Sequence, residues 1–198
     1  MKPKTVLLKL QPLLKTPSFT SQQAKTFGVS SADLAHYIKT GDLIRIGRGV
    51  YKGVDSPAIS DFRWEDLNVA IKRIKNGAIC LTSALALYDL TDETPRQHWI
   101  AIPNNTRHRT DDTVKIIRLR NFKLGKTFIK IDNQKLPIFD RERTIIDSFR
   151  YLGIETALKA LRNALTKKGK EKIELEKIIK CTKILHVNKE AYLLAVIT

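Results

Sequence analysis

Two short helical patterns followed at once by a glycine-flanked hairpin are the feature that most constrains how this chain can fold. The run Thr20 to Gln23 (TSQQ) is a capping-box sequence, which predicts a first helix that ends near Gly28. The run Ser30 to Asp33 (SSAD) offers the N-cap of a second helix, which ends at Gly41. Two short helices that meet at a tight turn predict a helix-turn-helix.

The residues after Gly41 predict a β-hairpin. Leu43 to Ile46 and Val50 to Lys52 are β-prone runs, and the sequence Gly-Arg-Gly joins them at positions 47–49. Both glycines can take positive φ, which presents Arg48 at the tip. A hairpin directly after a helix-turn-helix is the wing of a winged helix. Such a domain puts its second helix in the major groove of DNA and its wing on the backbone or in the minor groove.

The charge of the chain favours a polyanionic partner. There are 36 Lys and Arg against 20 Asp and Glu, so the formal net charge is +16. Residues 1–60 hold nine of the basic and three of the acidic residues, which gives +6 for that segment. A cationic surface gains affinity for nucleic acid by releasing counterions from phosphates. A basic protein without a nucleic-acid role remains the alternative.

Seven residues are predicted to contact double-stranded DNA. Arg48 is the leading candidate, because an arginine between two glycines at a hairpin tip has little reason to be there for packing. Ser31 lies at a helix N-terminus, where backbone N–H groups suit a phosphate or a base edge, although capping alone explains it equally well. The full set, drawn from the two helices and the wing, is Arg48, Arg45, Ser31, Lys39, His36, Lys25 and Lys52.

The whole chain is predicted to be α+β. A winged helix-turn-helix domain occupies residues 1–58, and a mixed α/β domain with a small sheet and C-terminal helices occupies 59–198. A helix over 61–75 is a candidate bridge between them. Strands are predicted at 99–102, 114–119 and 128–131, and helices at 154–166 and 171–185.

The second domain offers a basic patch but no catalytic constellation. Its patch would comprise Arg107, Arg109, Lys115, Arg118 and Arg120, with a solvated sheet face as the alternative. The four histidines are isolated, there is no C-x-x-C pair, and neither a P-loop nor a nucleophile elbow occurs. Asp140 and Glu142 lack the Gly-Ser turn that would make them a nucleotidyltransferase metal pair. We therefore expect no enzyme, no cofactor and no metal.

The chain also lacks the patterns of exported or membrane proteins. Its longest apolar run, at positions 191–197, has seven residues, far below the length of a membrane span. No signal peptide is recognisable, and two cysteines are too few for a disulfide framework. These observations predict a cytoplasmic protein.

Three runs of this sequence resemble one protein family. The run GVSSADLAHYIKTGDLIRIGRGVYKG (28–53) resembles the N-terminal winged helix of the AbiEi-type antitoxins, from bacterial type IV abortive-infection toxin–antitoxin systems. The runs ICLTSALALYDLTDETPRQHWIAIPNNTR (79–107) and LPIFDRERTIIDSFRY (136–151) resemble parts of that family's second domain. Residues 167–198 match no motif of the family, so their role is not predicted.

The resemblance implies a function for each domain. The N-terminal domain of the family binds inverted repeats upstream of its own operon and represses it. The C-terminal domain counters a nucleotidyltransferase-type toxin in phage defence, and the resemblance leaves open whether it contacts the toxin directly. We expect a monomer or weak dimer with two copies on the DNA, because palindromic sites mirror protein symmetry. A non-enzymatic DNA- or RNA-binding adaptor without a toxin partner is the alternative.

Overall fold

The structure of the chain, a computed structural model, describes residues 5–108, 112–132 and 134–187. Contacts between residues divide the chain into two units. One unit contains the described residues of 1–75 and 130–136, and the other contains those of 76–129 and 137–198. Helices and small sheets build the described part of the chain, which confirms the α+β prediction.

The first unit has the element order of a winged helix. Its sheet has the order β1-β3-β2 with antiparallel pairs, so the two helices between β1 and β2 form the helix-turn-helix and β2 and β3 form the wing. The elements are α1 (Thr5–Lys9), α2 (Gln11–Leu14), β1 (Phe19–Thr20), α3 (Ser21–Thr26), α4 (Ser31–Thr40), β2 (Leu43–Gly47), β3 (Val50–Gly53) and α5 (Glu65–Arg73). The helix predicted over 61–75 is a 3₁₀ turn, Phe62–Trp64, that leads into α5.

The core of the first unit forms where the apolar residues of α4 meet the sheet. Leu34 and Tyr37 lie three positions apart, so they share one face of α4, and both are buried. They pack in one cluster with Phe19 of β1 and Leu43 of β2. Burying a large apolar side chain contributes about 1.5–3 kcal/mol, so this cluster holds α4 firmly against the wing.

A buried polar network lies beside that core. Lys72 of α5 donates from Nζ to the backbone oxygen of Ser18 at 2.6 Å, and to Ser18 Oγ and Gln134 Oε1 at 2.7 Å each. Asn68 donates to the same Gln134 oxygen at 2.7 Å. All these partners of the ammonium group are neutral, and burial lowers the pKa of Lys72 from 10.5 to about 7.

The second unit is built on a five-stranded mixed sheet with the order β6-β5-β4-β8-β7. Strand β4 pairs antiparallel with β5 and parallel with β8, and β5 pairs parallel with β6. Residues 130–136 of β7 and β8 count with the first unit. The elements are β4 (Ala78–Ile79), α6 (Leu81–Leu87), β5 (His98–Pro103), β6 (Val114–Leu119), β7 (Lys126–Ile131), β8 (Gln134–Phe139), α7 (Arg141–Tyr151), α8 (Ile154–Thr166) and α9 (Leu175–Ile184).

Helix α7 is buried among α6, α8 and α9 and carries charged side chains into the interior. Arg143 Nε donates to Asp147 at 2.6 Å, and both side chains are almost fully buried. Asp140 caps the helix by accepting from the backbone N–H of Arg143, and Glu142 accepts from the backbone N–H of Glu174. Asp140 and Glu142 are therefore both held by backbone donors.

Most predicted elements of the second domain are present with adjusted ends. The three predicted strands lie within β5, β6 and β7, and the helix predicted over 154–166 is α8. The helix predicted over 171–185 is shorter, because α9 begins only at Leu175. The boundary predicted after residue 58 falls inside the first unit, and a functional division there stays a prediction. None of the described helices has both the length and the apolar character that crossing a bilayer requires.

Candidate nucleic-acid interface

The N-terminus of α4 is closed by Ser30, not by Ser31. The hydroxyl of Ser30 accepts from the backbone N–H of Asp33, and the Asp33 carboxylate accepts from the backbone N–H of Ser30. This reciprocal capping box leaves Ser31 as the first residue of the helix, with an exposed side chain. Capping therefore does not account for Ser31, which lies at the positive end of the helix dipole.

One exposed face of α4 carries small and basic side chains. Ser31, Ala35 and Lys39 follow at intervals of four residues, so they line one side of the helix, and each is exposed. Ala32 is exposed beside them. Small side chains let a helix approach base edges closely, and a methyl group can contact the C5-methyl of thymine. Sequence reasoning missed Ala35, although the i, i+4 spacing to Ser31 and Lys39 could have revealed it.

His36 lies at the border of this face and is half-buried. Its ring centre is 5.3 Å from that of Tyr37, and the two rings meet edge-on. Tyr37 is buried in the core, as an aromatic on the inner side of α4 should be. The imidazole of His36 is therefore positioned by a residue that itself cannot move without disturbing the core.

The wing turns through two residues, Arg48 and Gly49. Gly47 pairs with Val50 across the hairpin, so Arg48 is at the tip and is exposed, as predicted. Gly49 has a φ of +72°, which suits glycine. The expectation of positive φ at Gly47 is wrong: a Cβ there would lie 3.0 Å from Val69 Cγ1, so close packing against α5 accounts for this glycine.

The wing tip is tied to the first helix of the helix-turn-helix. The backbone N–H of Ser21, at the start of α3, donates to the oxygen of Gly49 at 2.9 Å. This bond sets the position of Arg48 relative to α3, which carries exposed Lys25 in its last turn. The wing is therefore anchored at its tip as well as at its base.

The other two predicted cations lie on the strands of the wing. Arg45 is exposed on β2, and its Nε donates to the backbone oxygen of Gly47 at 3.3 Å across a bulge in the strand. Lys52 is half-buried on β3 opposite Ile44. The structure thus places all seven predicted residues in the first unit, with Lys52 and His36 less exposed than the rest.

The acidic residues of the helix-turn-helix are engaged in local structure. Asp33 belongs to the capping box, and Asp42 accepts from the hydroxyl of Thr40. With +6 over residues 1–60, the exposed side chains on the helix face and the wing are predominantly cationic. Such a surface attracts phosphate and becomes less effective as salt rises.

The basic patch predicted for the second domain is only partly assembled. Arg118 and Arg120 line one cavity of the second unit, whereas Lys115 is not among its lining residues. The Lys115 ammonium lies 4.1 Å from the ring centre of Trp99, in a cation–π contact. Arg107 is exposed, and Arg109 lies outside the described residues. Within the described ranges, no three His, Cys, Asp or Glu side chains converge on a possible metal position.

Comparison with known proteins agrees with this architecture. Residues 15–51 match the family model described as "Transcriptional regulator, AbiEi antitoxin", which confirms the predicted resemblance over the helix-turn-helix and most of the wing. The crystal structure of RV2827C protein from Mycobacterium tuberculosis is similar, with a TM-score of 0.56 over 91% of this chain and 71% of that chain. At 14% identity that likeness concerns the fold alone. No curated protein matches the chain.

Proposed function

We propose that the protein represses its own operon by binding inverted repeats upstream of it, since residues 15–51 match the family model of the AbiEi antitoxin transcriptional regulators. The observation that carries this proposal is the joint placement of two features on one winged helix. These are the exposed face of α4 and the Arg48 tip, which the Ser21–Gly49 hydrogen bond holds beside α3.

In the proposed complex, α4 enters the major groove. Ser31 and Ala35 meet base edges, and Lys39 contacts phosphate near the end of the helix. Arg48 reaches the backbone or the minor groove from the wing, where a narrow groove strengthens its attraction. The supporting contacts to the backbone come from Lys25, Arg45, Lys52 and His36.

Two copies occupy one operator in this proposal. A winged helix reads one half-site, and an inverted repeat presents two half-sites related by a two-fold axis. A monomer in solution or a weak dimer would serve equally, because the DNA itself can bring two copies together. The stoichiometry on DNA is therefore two chains per inverted repeat.

We further infer that residues 59–198 neutralise a nucleotidyltransferase-type toxin in a type IV phage-defence system. This part of the proposal rests on the match of residues 15–51 to a family of antitoxins. Neutralisation without direct contact is compatible with the proposal. Co-expression of these residues with the toxin encoded beside the gene tests it, and failure to restore growth with a folded fragment would contradict the division of labour.

A nucleic-acid-binding adaptor without a toxin is the second candidate. It is favoured by the position of Arg118 and Arg120, which lie together in the second unit and not on the winged helix. An adaptor would bind RNA or DNA through that unit with little sequence preference. It would also have no toxin gene as a neighbour.

Titration on DNA separates the two candidates. The purified protein is titrated on the duplex from immediately upstream of its gene and on a scrambled duplex, each at two salt concentrations. A preference of about 10³-fold or more for the native duplex supports the repressor. Equal binding to both duplexes with a steep salt dependence would contradict it and favour the adaptor.

A further inference from the structure

The second unit contains an arginine-lined cavity of about 330 Å³. It lies where the end of β6, one side of α7 and the end of α9 meet. Four arginines line it, and no Asp or Glu is among the described residues that do so. The arginines are Arg118, Arg120, Arg143 and Arg150.

Arg143 has hydrogen-bonding capacity that the described residues leave unused. Its Nε donates to Asp147, and its Nη1 donates to the backbone oxygen of Asn121 at 3.0 Å. Its Nη2 is buried and has no hydrogen-bond partner in the described part of the chain. Leaving a buried donor of a charged group unpaired is costly, so an acceptor in the cavity would stabilise this arrangement.

The charges around the cavity do not balance. Asp147 is shared, since Arg150 Nη1 donates to its second oxygen at 2.9 Å. One carboxylate between Arg143 and Arg150 leaves one positive charge over. Arg118 and Arg120 are exposed at the cavity and add two more. A dianion would offset most of this excess.

The geometry points to a phosphate group, and we propose that this cavity binds a mononucleotide through its phosphate. Guanidinium groups match phosphate oxygens with paired N–H donors, which makes arginine the preferred residue for such recognition. The cavity is at the small end of the range for ligand pockets, which fits a mononucleotide better than a larger cofactor.

The apolar and aromatic rim of the cavity favours a ligand that carries a base as well as a phosphate. Tyr151 and Ile184 line it and are 39% and 38% exposed, so apolar surface lies next to the cationic floor. The Arg150 guanidinium lies 4.9 Å from the Tyr151 ring centre, on one side of the ring, which orders the aromatic side chain. The other face of the ring can stack on a base, because every base has a π-face.

Equilibrium dialysis of AMP against the full chain at physiological salt tests this proposal. We expect saturable binding of one AMP per chain. The double variant Arg118→Gln/Arg120→Gln should weaken it about tenfold or more, since each residue donates charge-assisted hydrogen bonds. The matched control is Arg162→Gln on α8, which is exposed and outside the cavity and should bind AMP like the wild type. Equal weakening by the control would overturn the site.

Further binding experiments establish the chemical class of the ligand. Tyr151→Ala should weaken AMP binding at least about fivefold and leave the binding of inorganic phosphate unchanged. Inorganic phosphate that competes as well as AMP would overturn the nucleotide assignment, because the base would then contribute nothing. A short single-stranded RNA that binds through Arg118 and Arg120 while AMP does not bind would also overturn it.

The test of the cavity is independent of the proposed function as a repressor. The double variant should retain the operator affinity of the wild type, because both arginines lie outside the winged helix. Loss of AMP binding with unchanged operator affinity supports the cavity. Absence of AMP binding in a wild-type protein that binds its operator overturns the cavity alone.

Discussion

Gly125 lies so close to Arg143 that a Cβ atom on the glycine would come within 2.6 Å of the arginine Cβ. Gly125 also has a φ of +66°, and its backbone oxygen accepts from the N–H of Asp140 at 2.7 Å. The loop before β7 is thus held directly against the first turn of α7. This contact keeps the oxygen of Asn121 within reach of the Arg143 guanidinium.

Gly125→Ala should destabilise the protein by more than about 2 kcal/mol. Positive φ costs a residue with a side chain about 1–2 kcal/mol, and the clash with a helix-bound Cβ adds to that strain. Thermal or urea denaturation measures the loss. Gly169→Ala is the matched control, because its φ is +60° and nothing lies within 4 Å of the added methyl. Equal losses for the two variants would contradict the close contact.

Asp147→Asn should cost about 3–5 kcal/mol of unfolding free energy. The substitution keeps the shape of the side chain but leaves the fully buried charge of Arg143 without its counterion. Urea denaturation measures the change. The exposed pair of Asp92 with Lys159 provides the comparison, and Asp92→Asn should cost less than about 1 kcal/mol. A small loss for Asp147→Asn would mean that the buried pair contributes little.

Arg48→Ala should weaken operator binding by at least about 1 kcal/mol and lower the salt slope by about one unit. The substitution removes an exposed guanidinium at the wing tip and touches no core residue. Titration of both proteins on the same duplex at several salt concentrations measures both effects. Arg162→Ala removes the same charge from the second unit and should bind the operator like the wild type. Unchanged affinity for Arg48→Ala would remove the wing tip from the interface.

The stability contributed by Lys72 should rise with pH above neutrality. Its pKa is about 7 in the folded state and 10.5 as the ordinary value, so between these values the unfolded chain binds more protons. Folding releases that proton, and the free energy of unfolding therefore increases with pH by up to about 1.4 kcal/mol per unit. Below pH 7 both states are protonated, so the cost of burying the ammonium applies in full.

Lys72→Met isolates this effect. The difference in unfolding free energy between the wild type and the variant should grow in favour of the wild type from pH 7 to pH 9. Urea denaturation at constant ionic strength measures it, because other groups titrate equally in both proteins. Parallel pH profiles would show that Lys72 titrates normally in the folded protein.

The winged helix could be predicted because its signals are local. The signals lie close together along the chain: residues that cap helices, glycines that end them, and a β-prone hairpin. The order of these elements is compatible with few topologies. Local sequence patterns do not, however, determine the roles of single side chains. The sequence leaves Ser30 and Ser31 as competing caps, and only the backbone geometry at Ser30 decides between them.

The first helical segment shows that helix boundaries are also hard to predict from sequence. The apolar spacing over residues 5–14 predicts a helix whose end is left open by Pro12, and the structure has two short helices there, α1 and α2. Proline at position 12 lies at the start of α2, where its missing N–H costs nothing. A periodic apolar pattern indicates which side faces the core, and it says little about where hydrogen bonding breaks.

By itself, the sequence determined the α+β class, the winged helix and the tip position of Arg48, because these follow from propensities and spacing along the chain. Tertiary structure alone decided which distant residues meet. It packed Gly47 against Val69, buried Lys72 beside Ser18, and brought Arg118 and Arg143 to one cavity. The physical reason is that such contacts depend on how the elements pack, and no local pattern in a single sequence encodes that packing.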